Sequence, residues 1–440
     1  MNNKNTSLPT GQLLRGIGFI GAGLIILNSM IGAGIFALPA SVAANAGVLS
    51  PWLFLACALL IITVVLTYSE LSSYFQESGG PVLYTTAAFG TLAGFTAGWF
   101  LYLSRMTAFA ANSTVMAIYL GSIWPWFGEG IGRALVIIAV CTALTWANYV
   151  GVRDGVRTIG VFTVFKIMPL LLLILIGLPY VSGDILFPAS LPTIEDPGAT
   201  MLLLIYAYVG FEAGTITAGE TNRPRYTLPR VLVGTVIATG IFYFLIVLVY
   251  VSVLPEVGKE QATLVDIGFV LAGAAGAIVI TAAAVFSIGG NLASIMLTVP
   301  RLTFALAQQR MLPGWFGKVH DRYNTPGNSI LFLGALALVF ALSGTFEKLA
   351  AGSSLMRLIV YLLCIAALPI IRRAADSEAR EHAFRLWGGY SIPLVAFILC
   401  AWVAAQTTLG SLQLTGGLFA AGLLLYALAR SRAHPRVGPQ

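Results

Sequence analysis

Charge is scarce in this sequence. Charged residues make up 9% of its 440 positions, whereas hydrophobic residues make up 58%. A soluble globular domain carries about 25% charged residues, so this composition excludes that class and indicates a protein that lies in a lipid bilayer. The apolar stretches also lack the alternation of polar and apolar residues that a membrane β-barrel requires, which leaves helices as the spanning elements.

Histidine and cysteine are rare as well. The three histidines lie in polar segments between the apolar runs, so no histidine is expected at membrane depth. The four cysteines lie within apolar runs without the spacing of a metal site, which favours inert thiols and predicts no metal or other cofactor. The sequence also lacks a P-loop, a nucleophile elbow and an HExxH motif. We therefore expect neither an ATP-driven pump nor a membrane protease, and predict that the protein is not an enzyme.

Apolar runs of roughly 20 residues, the length that crosses a bilayer as a helix, occur about twelve times. They centre on residues 17–44, 50–75, 86–122, 131–150, 158–180, 200–219, 230–254, 268–305, 328–344, 350–371, 390–408 and 412–431. The third and eighth runs are longer than a bilayer requires, and we expect them to tilt or to protrude. The sequence therefore predicts an all-α integral membrane protein with about 12 transmembrane helices.

The net charge is +7, and its basic residues are distributed as in a membrane protein rather than clustered as on a nucleic-acid-binding surface. With both termini in the cytoplasm, 18 of the 24 lysines and arginines fall on the cytoplasmic side of the predicted spans. Four basic residues fall at or near the outer side, namely Arg133, Lys259, Lys348 and Arg357. The positive-inside rule thus predicts a multi-pass protein of the cell (inner) membrane with cytoplasmic N- and C-termini. Its expected surroundings are the lipid bilayer, without nucleic acid.

Two apolar runs are interrupted at mid-length by glycine. The first reads IGAGIF at residues 31–36, and the second reads YVGFEAG at residues 208–214. An unwound backbone at membrane depth leaves N–H and C=O groups without partners, so it is stable only where protein or a polar cavity covers it. Such interruptions at matching positions of two halves point to the substrate site of a transporter. The pattern therefore predicts transport of a small zwitterion.

The spans divide into two halves, and each half begins with an interrupted helix. Because five spans per half is an odd number, the second half would be inverted in the membrane relative to the first. We expect repeat one over about residues 15–180, repeat two over about 200–375, and two further helices over about 390–431. The sequence contains no long linker, so residues 1–440 are predicted to form one transmembrane permease domain.

Several motifs resemble signatures of the amino acid–polyamine–organocation (APC) permeases. Residues 32–39 read GAGIFALP, as at the first helix of that family, and residues 68–71 read YSEL, as at the end of its second. Residues 206–212 read YAYVGFE, similar to the family's aromatic–glycine–acidic break, and GETNRP follows at residues 219–224. The resemblance covers roughly residues 15–375. It implies the five-plus-five inverted-repeat (LeuT-like) fold of a bacterial-type amino acid transporter, with helices 1 and 6 broken.

The breaks can bind a zwitterion without any charged side chain. Where a helix resumes, its first N–H groups are unpaired and carry partial positive charge, which suits a carboxylate, and glycine lets the ligand approach the backbone. The expected amide donors are those of Gly32, Ala33, Gly34 and Ile35. The expected carbonyl acceptors for the ammonium are those near Ser29, Met30, Tyr206 and Ala207, with Val209 and Gly210 completing the second break.

Two side chains bear on gating and selectivity. Tyr206 stands where the family carries an aromatic lid over bound substrate, and the resemblance implies that role here. Ile295 falls near the position where a cation-transporting relative has a tryptophan that stacks on a guanidinium. Because isoleucine cannot offer that cation–π contact, we expect the substrate to be a neutral L-amino acid.

Three ionisable residues are expected well inside spans, namely Arg105, Lys166 and Glu212. Ionisable groups at that depth usually serve a function. Lys166 resembles the fifth-helix lysine that places an ammonium where sodium-coupled relatives hold a cation. It would act either as a proton-coupling group or as a permanently charged tether between helices. Ser287 and Asn291 lie four residues apart on helix eight, hence on one face, and are expected beside that ammonium.

Arg105 and Glu212 are expected to pair, because an isolated charge in hydrocarbon is unfavourable. If Arg105 is not paired with Glu212, it could bind a second substrate carboxylate. The leading hypothesis is a sodium-independent secondary transporter of a neutral L-amino acid that works by alternating access, through proton symport or exchange. The alternatives are an antiporter of polyamines or of cationic or acidic amino acids, and a non-transporting membrane receptor on the same fold. The sequence leaves the oligomeric state open.

Overall fold

The computed structural model of the chain describes residues 17–75, 77, 79–151, 155–187, 193–194, 196–216, 218–254, 262–377 and 383–431. Side chains are described for the same residues except 155–164. Both termini, for which the sequence predicts a cytoplasmic location, lie outside these residues, as do Lys259, His382 and His434.

Helices account for nearly all of the regular structure among the described residues, as the apolar runs predict. The α-helices are α1 (Phe19–Met30), α2 (Gly34–Ala46), α3 (Ser50–Tyr74), α4 (Pro81–Phe89), α5 (Thr91–Gly121), α6 (Gly130–Val150), α7 (Gly155–Gly177), α8 (Gly183–Leu186), α9 (Pro197–Tyr208), α10 (Glu212–Ile216), α11 (Pro224–Val253), α12 (Leu264–Gln308), α13 (Gly327–Ser343), α14 (Phe346–Ala374), α15 (Ser391–Ala405) and α16 (Leu409–Ser431). The fold is therefore all-α.

The two long apolar runs are not single regular helices, and whether they tilt or protrude stays a prediction. The third is divided at Gly90, where α4 ends and α5 begins. The eighth forms α12, whose backbone leaves helical geometry at Ala272 and Gly273. Within the described ranges, six segments are long and apolar enough to cross a membrane, namely Gly34–Tyr74, Gly130–Val150, Pro224–Val253, Leu264–Gln308, Phe346–Ala374 and Leu409–Ser431. The count of twelve spans stays a prediction.

Both interrupted runs are broken helices. The first is unwound between Met30, the last residue of α1, and Gly34, the first residue of α2. The second is unwound between Tyr208, at the end of α9, and Glu212, at the start of α10. The contacts have the pattern that a pseudo-twofold axis would give, since α3 contacts α11, α6 contacts α13, and the contact of α1 with α10 is matched by that of α2 with α9. The inverted repeat itself stays a prediction.

The two breaks touch each other at Gly210. Its φ angle is +122°, a region that side chains strongly disfavour. A Cβ atom at this position would lie 2.5 Å from the carbonyl oxygen of Ser29, near the end of α1. Glycine is therefore required here for two independent reasons, the backbone conformation and the close approach of α1.

We predict that Gly210→Ala destabilises the protein, because the methyl group must displace α1 and the backbone must leave its conformation. Strain of this kind costs roughly 1–3 kcal/mol, which thermal unfolding of the purified protein would detect. Gly234→Ala is the matched control, since Gly234 lies in α11 with no atom within 4 Å of its Cβ position. Equal unfolding temperatures for the two variants would contradict the contact.

Candidate functional site

The first break presents the amide end of α2. The N–H groups of Ala33, Gly34 and Ile35 precede the first intrahelical hydrogen bonds, because Phe36 and Ala37 donate to the carbonyl of Ala33 at 3.1 and 3.0 Å. The amide of Gly32, which the sequence analysis included among the donors, instead donates to the carbonyl of Met30 at 3.0 Å. Three of the four amides predicted to bind the substrate carboxylate therefore remain available as donors at the start of α2.

The last turn of α9, which leads into the second break, packs against the first break. A Cβ atom on Gly34 would lie 3.0 Å from the Cα of Ala207 and 3.5 Å from the ring of Tyr206. The last carbonyls of α9 have no intrahelical donor because the helix ends at Tyr208. The amide end of α2 and the carbonyl end of α9 thus lie side by side, the arrangement that a zwitterion requires.

Lys166 holds the carbonyl end of α1. Its side chain is fully buried, and its Nζ donates to the carbonyls of Asn28 at 3.2 Å and Ile31 at 2.8 Å. Ser287 donates to the same Ile31 carbonyl at 3.5 Å, so it lies beside the ammonium as expected. Lys166 therefore connects α7 to the last turn of α1, where a cation is favoured by the helix dipole.

Two further side chains donate to the carbonyls of Ser29 and Met30 at the end of α1. Asn291 donates to the carbonyl of Ser29 at 3.3 Å, and Tyr243 donates to that of Met30 at 3.3 Å. Asn291 thus lies on the same helix end as Lys166 but has a different acceptor. Of the four carbonyls predicted to receive the substrate ammonium, that of Ser29 accepts from Asn291 and keeps a second lone pair, whereas that of Met30 accepts from both Tyr243 and the Gly32 amide.

A buried hydrogen-bond chain joins the predicted lid to the first break. The hydroxyl of Tyr206 donates to Oδ1 of Asn112, and Nδ2 of Asn112 donates to Oδ1 of Asn291 at 2.8 Å. The chain ends at the Ser29 carbonyl, to which Asn291 donates. Sequence reasoning missed Asn112, although an asparagine in the middle of an apolar run is a signal that it could have used.

Glu212 connects the second break to two other helices. Its Oε2 accepts from the amide of Gly210 at 2.9 Å, so the carboxylate fixes the unwound segment. Its Oε1 accepts from the hydroxyl of Tyr361 and lies 3.3 Å from Nη1 of Arg357. Glu212 and Arg357 are both fully buried. The carboxylate therefore holds the unwound segment at Gly210 and also balances the charge of a buried arginine.

Arg357, which the sequence analysis placed at or near the outer side, is a fully buried residue. It lies about three turns into α14, which packs against α5. Glu70 is likewise fully buried, with its carboxylate 2.6 Å from Nε of Arg372. The buried ionisable residues thus include two that the sequence analysis did not place inside the spans, whereas the membrane depth of Arg357 stays a prediction.

Arg105 approaches Glu212 only at the outer limit of an ion pair. Its Nη2 is 4.0 Å from Oε2 of Glu212, whereas both terminal nitrogens donate to the hydroxyl of Ser29, at 3.3 and 3.2 Å. The predicted pair is therefore secondary to the contact between Glu212 and Arg357. The Arg105 side chain keeps 13% exposure, and Ser29 is also partly exposed, so the site is accessible at this point.

The remaining predicted residues are apolar and buried. Val209 lies in the second break with 7% of its surface exposed, and Ile295 lies one turn beyond Asn291 on α12 with 2% exposed. Tyr206 is similarly buried, with its ring edge-on to that of Phe346 at a centroid distance of 5.7 Å. The site therefore combines backbone ends and polar anchors with apolar walls.

The sequence is similar to those of known amino acid permeases. The profile of the family described as "Amino acid permease" matches residues 17–429. The chain is 29% identical to the serine/threonine exchanger SteT of Bacillus subtilis (strain 168), over 95% of each chain. It is 26% identical to the branched-chain amino acid permease BcaP of the same organism, over 97% of this chain and 95% of the other. A putative arginine/ornithine antiporter of that organism is also 26% identical, over 92% and 95%.

A match over nearly the whole chain settles the class of protein. These relatives are transporters rather than enzymes, and their family has the LeuT-like membrane fold. The apolar helices accordingly make this a multi-pass protein of the cell membrane. The chain belongs to the amino acid permease family of the amino acid–polyamine–organocation superfamily.

Proposed function

We propose that the protein is a sodium-independent secondary transporter that moves a neutral L-amino acid by alternating access, coupled to protons or to exchange. The observation that carries this proposal is the juxtaposition of the amide end of α2 with the carbonyl end of α9, at a junction where Gly34 packs on Ala207. Opposite helix ends bind the two charges of a zwitterion, and both ends belong to helices broken at the point where alternating-access transporters bind substrate.

The substrate would lie across this junction. Its carboxylate accepts from the amides of Ala33, Gly34 and Ile35, which have partial positive charge and no intrahelical acceptor. Its ammonium donates to the carbonyls of Tyr206 and Ala207 at the end of α9. The apolar walls suit an uncharged side chain.

The charges around the breaks oppose a cationic substrate. Arg105 and Arg357 share Glu212 as their only carboxylate partner among the described residues, so this cluster has a net charge of +1. A second cation on the substrate would be repelled by it in a region of low dielectric. The names of the first two relatives, which concern serine/threonine and branched-chain amino acids, support the neutral assignment.

Lys166 would supply both sodium independence and proton coupling. Its ammonium occupies the carbonyl end of α1 without a carboxylate partner among the described residues, so no metal cation is needed to complete that end. Loss of its proton would weaken the contacts with Asn28 and Ile31, because a charged donor makes the stronger hydrogen bonds. α1 could then move relative to α7, which links proton binding to the transport cycle.

The lid would respond to the same movement. Among the described residues, hydrogen bonds join Tyr206 to Ser29 through Asn112 and Asn291, which belong to α5 and α12. A displacement of α1 that breaks the last bond releases the others, and closure of the lid re-forms them. The hydrogen-bond chain would therefore make lid closure depend on the position of α1.

We predict that proteoliposomes accumulate labelled L-serine or L-valine when an inward proton gradient is imposed or unlabelled substrate is present inside. Uptake should be the same when choline replaces sodium, because Lys166 supplies the positive charge. L-arginine and putrescine should compete poorly because of the net positive charge around Glu212.

Three results would contradict this proposal. Preferred uptake of arginine or putrescine would reject the neutral substrate, and a loss of roughly tenfold in choline would reject sodium independence. Thermal stabilisation by an amino acid without any flux or counterflow would indicate a receptor on the same fold. Empty liposomes and liposomes with heat-inactivated protein give the background.

We also predict that Asn112→Leu weakens substrate binding while the protein still inserts and folds. The change leaves the Oδ1 of Asn291 without its donor and removes one acceptor of the Tyr206 hydroxyl, which keeps its 3.2 Å hydrogen bond to the Ala108 carbonyl. A buried polar atom without a partner costs about 1–3 kcal/mol. Asn148→Leu is the control, because the hydrogen bond of Asn148 in the described part of the chain goes to the Leu144 carbonyl within its own helix. Substrate affinities that are equal in the two variants would show that the hydrogen-bond chain does not support the lid.

A further inference from the structure

The cluster around Glu212 contains more positive than negative charge. Arg105 from α5 and Arg357 from α14 lie on opposite oxygens of one carboxylate, at 4.0 and 3.3 Å. Glu70, the other fully buried carboxylate in the described part of the chain, is bound to Arg372 at 2.6 Å. An uncompensated charge at this depth is unfavourable, so the excess calls for an anion.

Arg357 also has hydrogen-bond donors in excess. Its Nε donates to the hydroxyl of Ser104 at 3.1 Å, but Nη1 and Nη2 have no acceptor among the described residues, although the side chain is fully buried. The nearest carboxylate oxygen already accepts from Tyr361. One turn earlier on α14, the buried hydroxyl of Ser354 has no partner within the same residues either. Unused donors and unused positive charge therefore coincide.

Helix ends do not remove this excess. The carbonyl end of α1 carries a partial negative charge that favours Arg105, which donates to Ser29 there. Lys166, a full positive charge, lies on the same helix end. Arg357 is more than two turns from either end of α14, so the dipole of its own helix does not compensate its charge. The charge that remains uncompensated is therefore centred on Arg357.

The chemistry of the cluster limits the ligand to a small monovalent anion. One negative charge balances the excess of one, whereas a phosphate dianion would reverse it. A guanidinium pairs with a planar carboxylate through two N–H groups, and it also binds a halide. The partial exposure of Arg105 and Ser29 places the entrance at the first break, next to the proposed substrate position.

We propose that Arg105 and Arg357 form a binding site for one small monovalent anion, a carboxylate or a halide, beside the two helix breaks. The anion comes either from the side chain of an acidic substrate or from free chloride that binds together with a neutral one. The site goes beyond the proposed function, although its effect on amino acid binding rests on that function.

The test is binding of radiolabelled chloride to the purified, detergent-solubilised protein, which requires no transport. We expect saturable binding to the wild type and a loss of at least about tenfold in affinity in Arg357→Gln. Arg105→Gln is the second variant, because its partly exposed position tolerates change more easily and because either substitution leaves one arginine for Glu212. Lys348→Gln removes an exposed positive charge from the same helix and should bind chloride like the wild type.

A second measurement distinguishes the two sources of the anion. If chloride binds, it should also raise the affinity for L-serine, measured in chloride against gluconate. If chloride does not bind, L-glutamate should displace a labelled amino acid at least about tenfold better than L-glutamine, and Arg357→Gln should remove that preference. Either result supports the site, and the second would also replace the neutral substrate of the proposed function with an acidic one. Absence of both would overturn the site, whereas chloride binding without transport of any amino acid would reject the proposed function and leave the site standing.

Discussion

The carbonyl end of α1 is the point on which the rest of the site depends. A helix that stops inside apolar protein leaves its last carbonyls without partners, and here side chains from α7, α11 and α12 bind them. Lys166 is the only charged donor among those that bind these carbonyls directly, and Arg105 adds a second cation one residue away at the Ser29 hydroxyl. Both complement the negative end of the helix dipole. Because each partner belongs to a helix other than α1, any movement of α1 must break several of these contacts at once.

The positions of the breaks could be predicted from the sequence because they depend on local properties. Glycines in the middle of helix-length apolar runs indicated both interruptions, and Gly34 and Gly210 prove to be the residues at which the broken helices touch. The site of Lys166 was implied by its resemblance to the family's fifth-helix lysine, and the described structure places its ammonium on the end of α1. The predicted apolar runs with described backbone form helices, because hydropathy and run length are also local properties of the sequence.

The partners of the buried charges could not be predicted, because they depend on which helix faces meet. The pairing of Glu212 with Arg357 requires α14 to pack against α5 and α9, a contact between residues far apart in sequence. Asn112 matters only because it lies between Tyr206 and Asn291 in three dimensions. The division of the third run at Gly90 and the kink in α12 are likewise set by packing, which hydropathy does not report.

The claim that Lys166 links the first break to proton movement is tested most directly by Lys166→Arg in proteoliposomes, with Lys348→Arg as the control. Accumulation of the transported amino acid under an imposed pH difference is compared with counterflow in the same vesicles at equal pH. Because a guanidinium does not release its proton in proteins, we predict that Lys166→Arg retains measurable counterflow but no longer accumulates substrate, while Lys348→Arg behaves like the wild type. Accumulation by Lys166→Arg at the wild-type level would contradict the account and assign the proton to another group.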